Sequence, residues 1–450
     1  YSSDDAYRDS AGEPLFERRS PLNFGVTWRP VNGVQLGLGY LYGSQLSFTG
    51  TFTVNPNERL FWAGLDPAPQ PFHELVVFLL ADGHELLGGH RRRIRQRENP
   101  DVLLPPRTDS GTMPNLRFSF ADAHMRLERG GWTREITVRE LPISTNMAGV
   151  DMRLNAGAIR EMHWHKEAEW AYMLYGNARI TIIDAEGRSF MNDLGVGDLW
   201  YFPPGLPHSI QGLGPDGCEF LLVFDDGSFS EDNTFLLSDW AKHTPSEVMA
   251  KNFGVPAKSF ARVPDPDQLY IFAGKVPPPL KRDRVKGATP TPLAYTHRML
   301  AQKPIRTRSG AVRITDSKNF PVATAIAAAL VEVQPGGMRE MHWHPNADEW
   351  QYYIEGQARM GVFGSTGNAR TFDYRAGDVG YVPFAMGHYV ENTGDGPLRF
   401  LEMFKSARYA DVSLNQWLAL TPPELVRASL DIDERTVRAL RKTKSPVVPA

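Results

Sequence analysis

Six consecutive residues, Arg160, Glu161, Met162, His163, Trp164 and His165, recur unchanged as Arg339, Glu340, Met341, His342, Trp343 and His344. Each run is followed by an acid, Glu169 or Glu349, and later by a lone histidine, His208 or His388. Residues two apart on a strand share a face, so His163 and His165 can aim two imidazoles at one ion, as can His342 and His344. The glutamate adds a carboxylate. A second block, Gly197, Asp198, Pro203, Gly205 and His208, is repeated as Gly377, Asp378, Pro383, His388 and Asn392. Its glycine and proline bend the chain so that a facing strand delivers the fourth donor. The spacing is that of one metal site built twice.

Three neutral imidazoles and a carboxylate leave two adjacent positions open on an octahedral ion. This donor set suits manganese or iron better than four-coordinate structural zinc. Six of the chain's 12 histidines stand at these positions, and the single cysteine, Cys218, belongs to neither set, which disfavours thiolate chemistry. Arg160 and Arg339 lie three residues before the first histidine, near the rim. There a guanidinium can hold a small carboxylate that also touches the metal.

The two blocks resemble the paired signature motifs of the cupin superfamily, over 157–176 and 197–208 in the first copy and 336–356 and 377–392 in the second. From about residue 98 onward the chain is similar to the bacterial bicupin oxalate decarboxylases. The runs Trp200, Tyr201, Phe202, Pro203 and Asp225, Asp226, Gly227, Ser228, Phe229, Ser230 carry that resemblance. It implies an all-β protein of two tandem double-stranded β-helix (jelly-roll) barrels with a few short helices. It also implies two Mn(II) per chain, held by His163, His165, Glu169 and His208 and by His342, His344, Glu349 and His388. The implied reaction turns oxalate into formate and carbon dioxide and requires dioxygen; the implied assembly is a homo-oligomer, a dimer of trimers. An oxalate oxidase producing carbon dioxide and hydrogen peroxide, and a non-catalytic bicupin that binds a small acid, remain alternatives.

The copies differ where chemistry is sensitive. Phe220, Leu221, Leu222, Val223, Phe224 correspond to Phe400, Leu401, Glu402, Met403, Phe404, so an acid replaces a leucine. A glutamate amid apolar neighbours must be paired or functional. The resemblance makes Glu402 the acid beside the second metal; a buried ion-pair partner for Arg339 is the structural alternative. Ser230, Glu231, Asp232, Asn233, Thr234 align with the family's lid, where the pattern is Ser-Glu-Asn-Ser-Thr. The resemblance therefore makes Glu231 the lid's proton-transfer group, with Arg160 the cationic partner for the substrate's carboxylate. Asp232 and Asn233 depart from that pattern, and the added charge is expected to raise the pKa of Glu231 or to loosen the closed lid. Trp164 and Trp343 face away from the ligands by alternation, and the resemblance suggests that they meet across a subunit boundary.

Runs such as 178–183 and 220–224 have strand composition, separated by Gly, Asp and Asn turns. The repeat places one barrel near 98–250 and another near 285–430, with a proline-rich linker at 251–284 (Pro264, Pro266, Pro277, Pro278, Pro279) and a tail at 431–450. Thr244, Pro245, Ser246, Glu247 reads as a capped helix start, and 422–440 as a helix or helix pair. A net charge of −3 with 22% charged residues shows neither a nucleic-acid footprint nor a membrane-surface stripe. The arginines at 91–95 read as a solvated segment. One cysteine excludes an internal disulfide, and no apolar run is long enough for a spanning helix, so a reducing cytoplasm is expected.

Residues 1–97 read differently. The chain opens at Tyr1 without a signal-peptide pattern. Glycine and aromatic alternation over 22–54, around Asn32-Gly33, predicts a hairpin. Residues 1–70 resemble a fragment of an exopolysaccharide-associated outer-membrane β-barrel protein. A fused or upstream-extended reading frame is one expectation for this segment, a flexible extension the other.

Overall fold

The computed structural model describes residues 106–264 and 270–449 in full, together with the backbone of three strands between residues 23 and 52. It divides into two units, Tyr1–Pro100 and Asp101–Ala450. In the first, Asn23–Arg29, Gly33–Leu41 and Gln45–Phe52 form an antiparallel meander with Phe24 opposite Leu38 and Leu38 opposite Phe48. The expected hairpin is therefore two strands of a three-stranded sheet. Its Asn32 turn and the 91–95 arginines lie outside the described residues.

The second unit holds two antiparallel barrels. The first is organised around the long strand Glu169–Ile183. One half of that strand pairs with Asp198–Phe202 and Cys218–Phe224, the other with Ser189–Gly195 and His208–Gly212. One segment thus serves both faces of the barrel. Gly176 marks the passage between them: its φ is +66°, and a β-carbon there would stand 2.0 Å from the carbonyl oxygen of Gly217. In the second barrel the same passage is split into Glu349–Glu355 and Gln357–Phe363 around Gly356. There a seven-stranded sheet containing Ala327–Val333, Leu398–Phe404 and Asp378–Val382 faces a six-stranded one containing Met338–Trp343 and Gly387–Asn392.

The barrels exchange strands. Arg117–Ser119 pairs with Asp378–Val382 of the second barrel, and Thr296–Arg298 pairs with Asp198–Phe202 of the first. Arg117 reinforces the first exchange with a 2.6 Å bond to Asp378. The contiguous ranges 98–250 and 285–430 are therefore each crossed by a strand. The tail at 431–450 is tied to the second barrel, because Val447–Val448 pairs with Met338–Arg339. Sequence order does not reveal such exchanges, since a three-residue strand pairs wherever an unpaired edge is presented. The junction is also a shared core, in which Trp170, Trp200 and Phe220 are buried with Trp350, Tyr352 and Met403.

Short helices close the ends. Pro423–Leu430 and Glu434–Ala439 form the expected pair. The helix expected near 246 spans Ser246–Phe253, but Pro245 is its N-cap and supplies no side-chain bond. The Thr244 hydroxyl donates instead to the Trp240 carbonyl at 2.8 Å. Among the described residues, no helix is long and apolar enough to cross a membrane.

Candidate metal and substrate site

The strand Ile159–Trp164 lies against His208–Gly212, with His163 opposite His208 and Arg160 opposite Ile210. Three steps on one strand thus oppose two on the other, which is a β-bulge. Strict alternation would send Arg160 and His163 to opposite faces. The bulge instead brings the arginine round to the histidine's pocket. The second barrel repeats it, with Arg339 opposite Val390 and His342 opposite His388.

His163, His165, Glu169 and His208 offer donor atoms within 4.8 Å of one another, as do His342, His344, Glu349 and His388, and all eight side chains are buried. Each imidazole uses Nδ1 on a backbone carbonyl: His163 on Glu161 at 2.5 Å, His165 on Glu167 at 2.8 Å and His208 on Leu206 at 2.8 Å. In the second pocket His342 bonds Glu340 at 2.6 Å, His344 bonds Ala410 at 2.8 Å and His388 bonds Met386 at 3.1 Å. With the proton fixed on Nδ1, every Nε2 lone pair points inward.

The residues fit a divalent cation. Nε2 of His342, His344 and His388 and Oε2 of Glu349 are buried without a hydrogen-bond partner, which is costly unless an ion takes their lone pairs. Burial holds His163 and His342 well below the usual histidine range and pushes His208 down to about 3. Those three imidazoles are therefore neutral, as ligands must be. Asn392 stays outside the pocket, donating to the carbonyls of Val333 and Gly396.

Beside the first pocket the turn Glu231–Asn233 places Glu231 in a buried position, its Oε2 3.5 Å from Arg160 Nη2. Burial pushes the Glu231 carboxyl up to about 7, against the opposing pull of Arg160. Arg160 also donates to the Thr234 hydroxyl at 3.3 Å, and its Nη1 is buried with no partner. Asp232 is not directed at Glu231; it pairs with Arg126 at 3.0 Å. The expected direct effect of its charge on Glu231 gives way to a surface ion pair.

In the second pocket the arginine has no such partnerless nitrogen. Arg339 is fully buried and bonds Glu402 at 3.1 Å, Asp411 at 3.0 Å, the Tyr409 hydroxyl at 2.7 Å and the Pro446 carbonyl at 3.3 Å. Both readings of Glu402 therefore touch on something present, since it is the ion-pair partner of Arg339 and keeps a buried, unpartnered Oε2. Burial raises its carboxyl to about 7 despite Arg339.

Other neighbours were not foreseen. Trp200 Nε1 donates to the free oxygen of Glu169 at 2.7 Å, whereas Gln351 Nε2 does this for Glu349, also at 2.7 Å. Comparing the repeats would have exposed the exchange, because Ala171 and Trp200 in the first copy correspond to Gln351 and Gly380 in the second. Asp411 and Tyr409 carried no signal, since they lie outside both motifs. The repeated glutamates are structural: Glu161 accepts from the Ser238 amide and Glu340 from the Ser413 hydroxyl, each at 2.7 Å. Trp164 stacks on Phe235 at 5.5 Å, and Trp343 meets Trp417 edge-on at 5.6 Å.

Two barrels, each with a buried site of three histidines and a glutamate, define a bicupin, and the chain belongs to the cupin family, whose model, Cupin, matches residues 119–259 and 297–438. It is 62% identical over 355 residues to oxalate decarboxylase OxdC of Bacillus subtilis (strain 168), covering 79% of this chain and 92% of that one. A probable oxalate decarboxylase of Arthroderma benhamiae is 42% identical over 365 residues, covering 80% and 90%. A solved structure of Bacillus subtilis oxalate decarboxylase, from work on its Mn(II) centres, matches with a TM-score of 0.77 at 61% identity, covering 79% of this chain and 94% of that one. A separate model, exopolysaccharide biosynthesis protein YbjH, matches residues 1–77.

Proposed function

We propose that this chain is a manganese-dependent oxalate decarboxylase, a carboxy-lyase that turns hydrogen oxalate into formate and carbon dioxide. The observation that carries this reading is the buried Arg160–Glu231 pair over the first set of three histidines and a glutamate. His163, His165, Glu169 and His208 would hold one manganese, and His342, His344, Glu349 and His388 the other. Manganese, when bound, supplies with dioxygen the reversible one-electron oxidation that eases loss of carbon dioxide.

Arg160 pairs with one carboxylate of oxalate through the nitrogen that is otherwise unpartnered. Glu231 takes the substrate's proton and returns it to the carbon from which carbon dioxide departs. A carboxyl titrating near 7 is suited to both steps. The closed lid keeps bulk water from that carbon. In the second barrel Arg339 corresponds to Arg160 and has Glu402, from a barrel strand, as its acid, but Arg339 is fully engaged, so we assign most turnover to the first site.

The reading extends to a cytoplasmic homo-oligomer, a dimer of trimers. Exposed aromatics support an oligomer: Trp240 is 63% and Trp417 54% exposed beside Trp164 and Trp343. The test combines metal analysis with product assays on oxalate. About two manganese per chain and formate without peroxide support the proposal. Peroxide would select an oxidase, and neither product a binding protein.

A further inference from the structure

Arg126, on the strand Met125–Glu128, is far from the metal ligands in sequence yet gathers the parts that govern the lid. It bonds Glu128 at 2.7 Å and Asp232 at 3.0 Å. Its guanidinium carbon lies 3.7 Å from the ring centre of Tyr270, and that of Arg160 lies 4.1 Å from the same centre. Tyr270 is buried. One aromatic ring therefore supports both the substrate-binding arginine and the arginine that holds the lid.

The lid's other ties run within the turn or inward, to Glu135 and Arg160. Ser230 Oγ accepts from the Asp232 amide at 3.3 Å, Thr234 Oγ1 donates to the Glu231 carbonyl at 2.8 Å, and the Glu231 amide donates to Glu135 at 2.6 Å. The Asp232–Arg126 pair is the ion pair that joins the lid to a barrel strand from outside. It exists because aspartate stands where the pattern quoted above has asparagine.

We propose that Arg126 is a latch: by gripping Asp232 it biases the lid towards the closed state and so sets the partition between two outcomes at the first site. This rests on the oxalate reading above. With the lid closed, Glu231 stays beside Arg160 and returns its proton to carbon, giving formate. With the lid open, oxalate instead loses two electrons to dioxygen, which takes up two protons; both carbons leave as carbon dioxide and hydrogen peroxide forms. Arg126 touches neither substrate nor metal, and is a positioning residue.

The test uses the full, manganese-loaded chain with Asp232→Asn, Arg126→Gln and the double variant. It reads the peroxide-to-formate ratio and amide hydrogen exchange over 230–234. A partly exposed ion pair predicts a rise of about two- to five-fold in both quantities for Asp232→Asn. The double variant should exceed Arg126→Gln by nothing further, and salt near about 1 M should remove the difference from wild type. Unchanged ratio and exchange in Asp232→Asn, or strictly additive effects, would overturn the latch. Should Arg126→Gln fail to fold, Asp232→Asn decides alone, because that carboxylate is 79% exposed. Should the wild type make neither formate nor peroxide, the decarboxylase reading falls and lid exchange by itself decides the latch.

Discussion

Glu231 Oε2 stands 3.5 Å from Arg160 Nη2, with both side chains buried, whereas the equivalent Arg339 is gripped by Glu402 at 3.1 Å and by Asp411 at 3.0 Å. The repeats thus give one arginine opposite situations. Arg160 keeps a buried nitrogen with no partner. Arg339 spreads its donors over Glu402, Asp411, Tyr409 and Pro446.

The first consequence concerns turnover. If Glu231 moves the proton as proposed, Glu231→Ala should lower formate production by about 100-fold or more. Bound manganese should stay unchanged, because Glu231 is not one of the four donors. Formate output within a few-fold of wild type at full metal loading would remove Glu231 from the reaction.

The same carboxyl makes stability depend on pH. Its pKa rises from an ordinary 4.5 to about 7 on folding. Between those values the folded chain keeps a proton that the unfolded chain has released, so stability falls as pH rises across that window. Glu231→Gln cannot titrate there. At saturating manganese its unfolding free energy should decline less steeply from about pH 4.5 to about pH 7. Parallel curves for variant and wild type would contradict the raised pKa.

At the second site, Glu402→Ala strands part of a fully buried guanidinium. Breaking a buried pair costs about 3–5 kcal/mol, and the low end applies because Asp411 still holds Arg339. The denaturant midpoint should drop accordingly while formate production stays within a few-fold of wild type. A collapse of turnover in a folded, metal-loaded variant would move chemistry to the second site.

Ligand changes separate the pockets. His163→Ala and His342→Ala should each reduce bound manganese from about two to about one per chain, since each removes a buried donor from a different set. Only His163→Ala should abolish formate production. Metal counting by plasma emission checks the first statement and a product assay the second.

Gly149 tests the junction of the barrels. A β-carbon there would lie 2.4 Å from Trp350 Cζ2, so Gly149→Val should cost about 1–3 kcal/mol through overpacking. Because the barrels share a core and exchange strands, calorimetry should show one transition that shifts as a whole. Two separable transitions would mean that each barrel is stable without the other.

What the linear chain determined was the donor set. His163, His165 and Glu169 are legible because strand alternation and short spacing act locally, and the repeat at His342, His344 and Glu349 doubled the signal. The histidines after the glycine and proline block, His208 and His388, followed from the same repetition. Glu231 drew notice only through resemblance, in a segment too short for any periodicity to reveal, and its burial beside Arg160 is a matter of the fold.

Tertiary structure decided what depends on register and on partners distant in sequence. Alternation alone puts Arg160 and His163 on opposite faces; only the bulge against His208–Gly212 unites them. Tyr409 and Asp411 reach Arg339 from about seventy residues away in sequence. The exchange of Arg117–Ser119 and Thr296–Arg298 arises because a short strand joins whichever edge the folded barrels leave unpaired. Asp232 turned to Arg126 rather than Glu231 for a related reason: a charge settles on the counter-ion that folding brings within reach, and sequence distance carries no record of that neighbour.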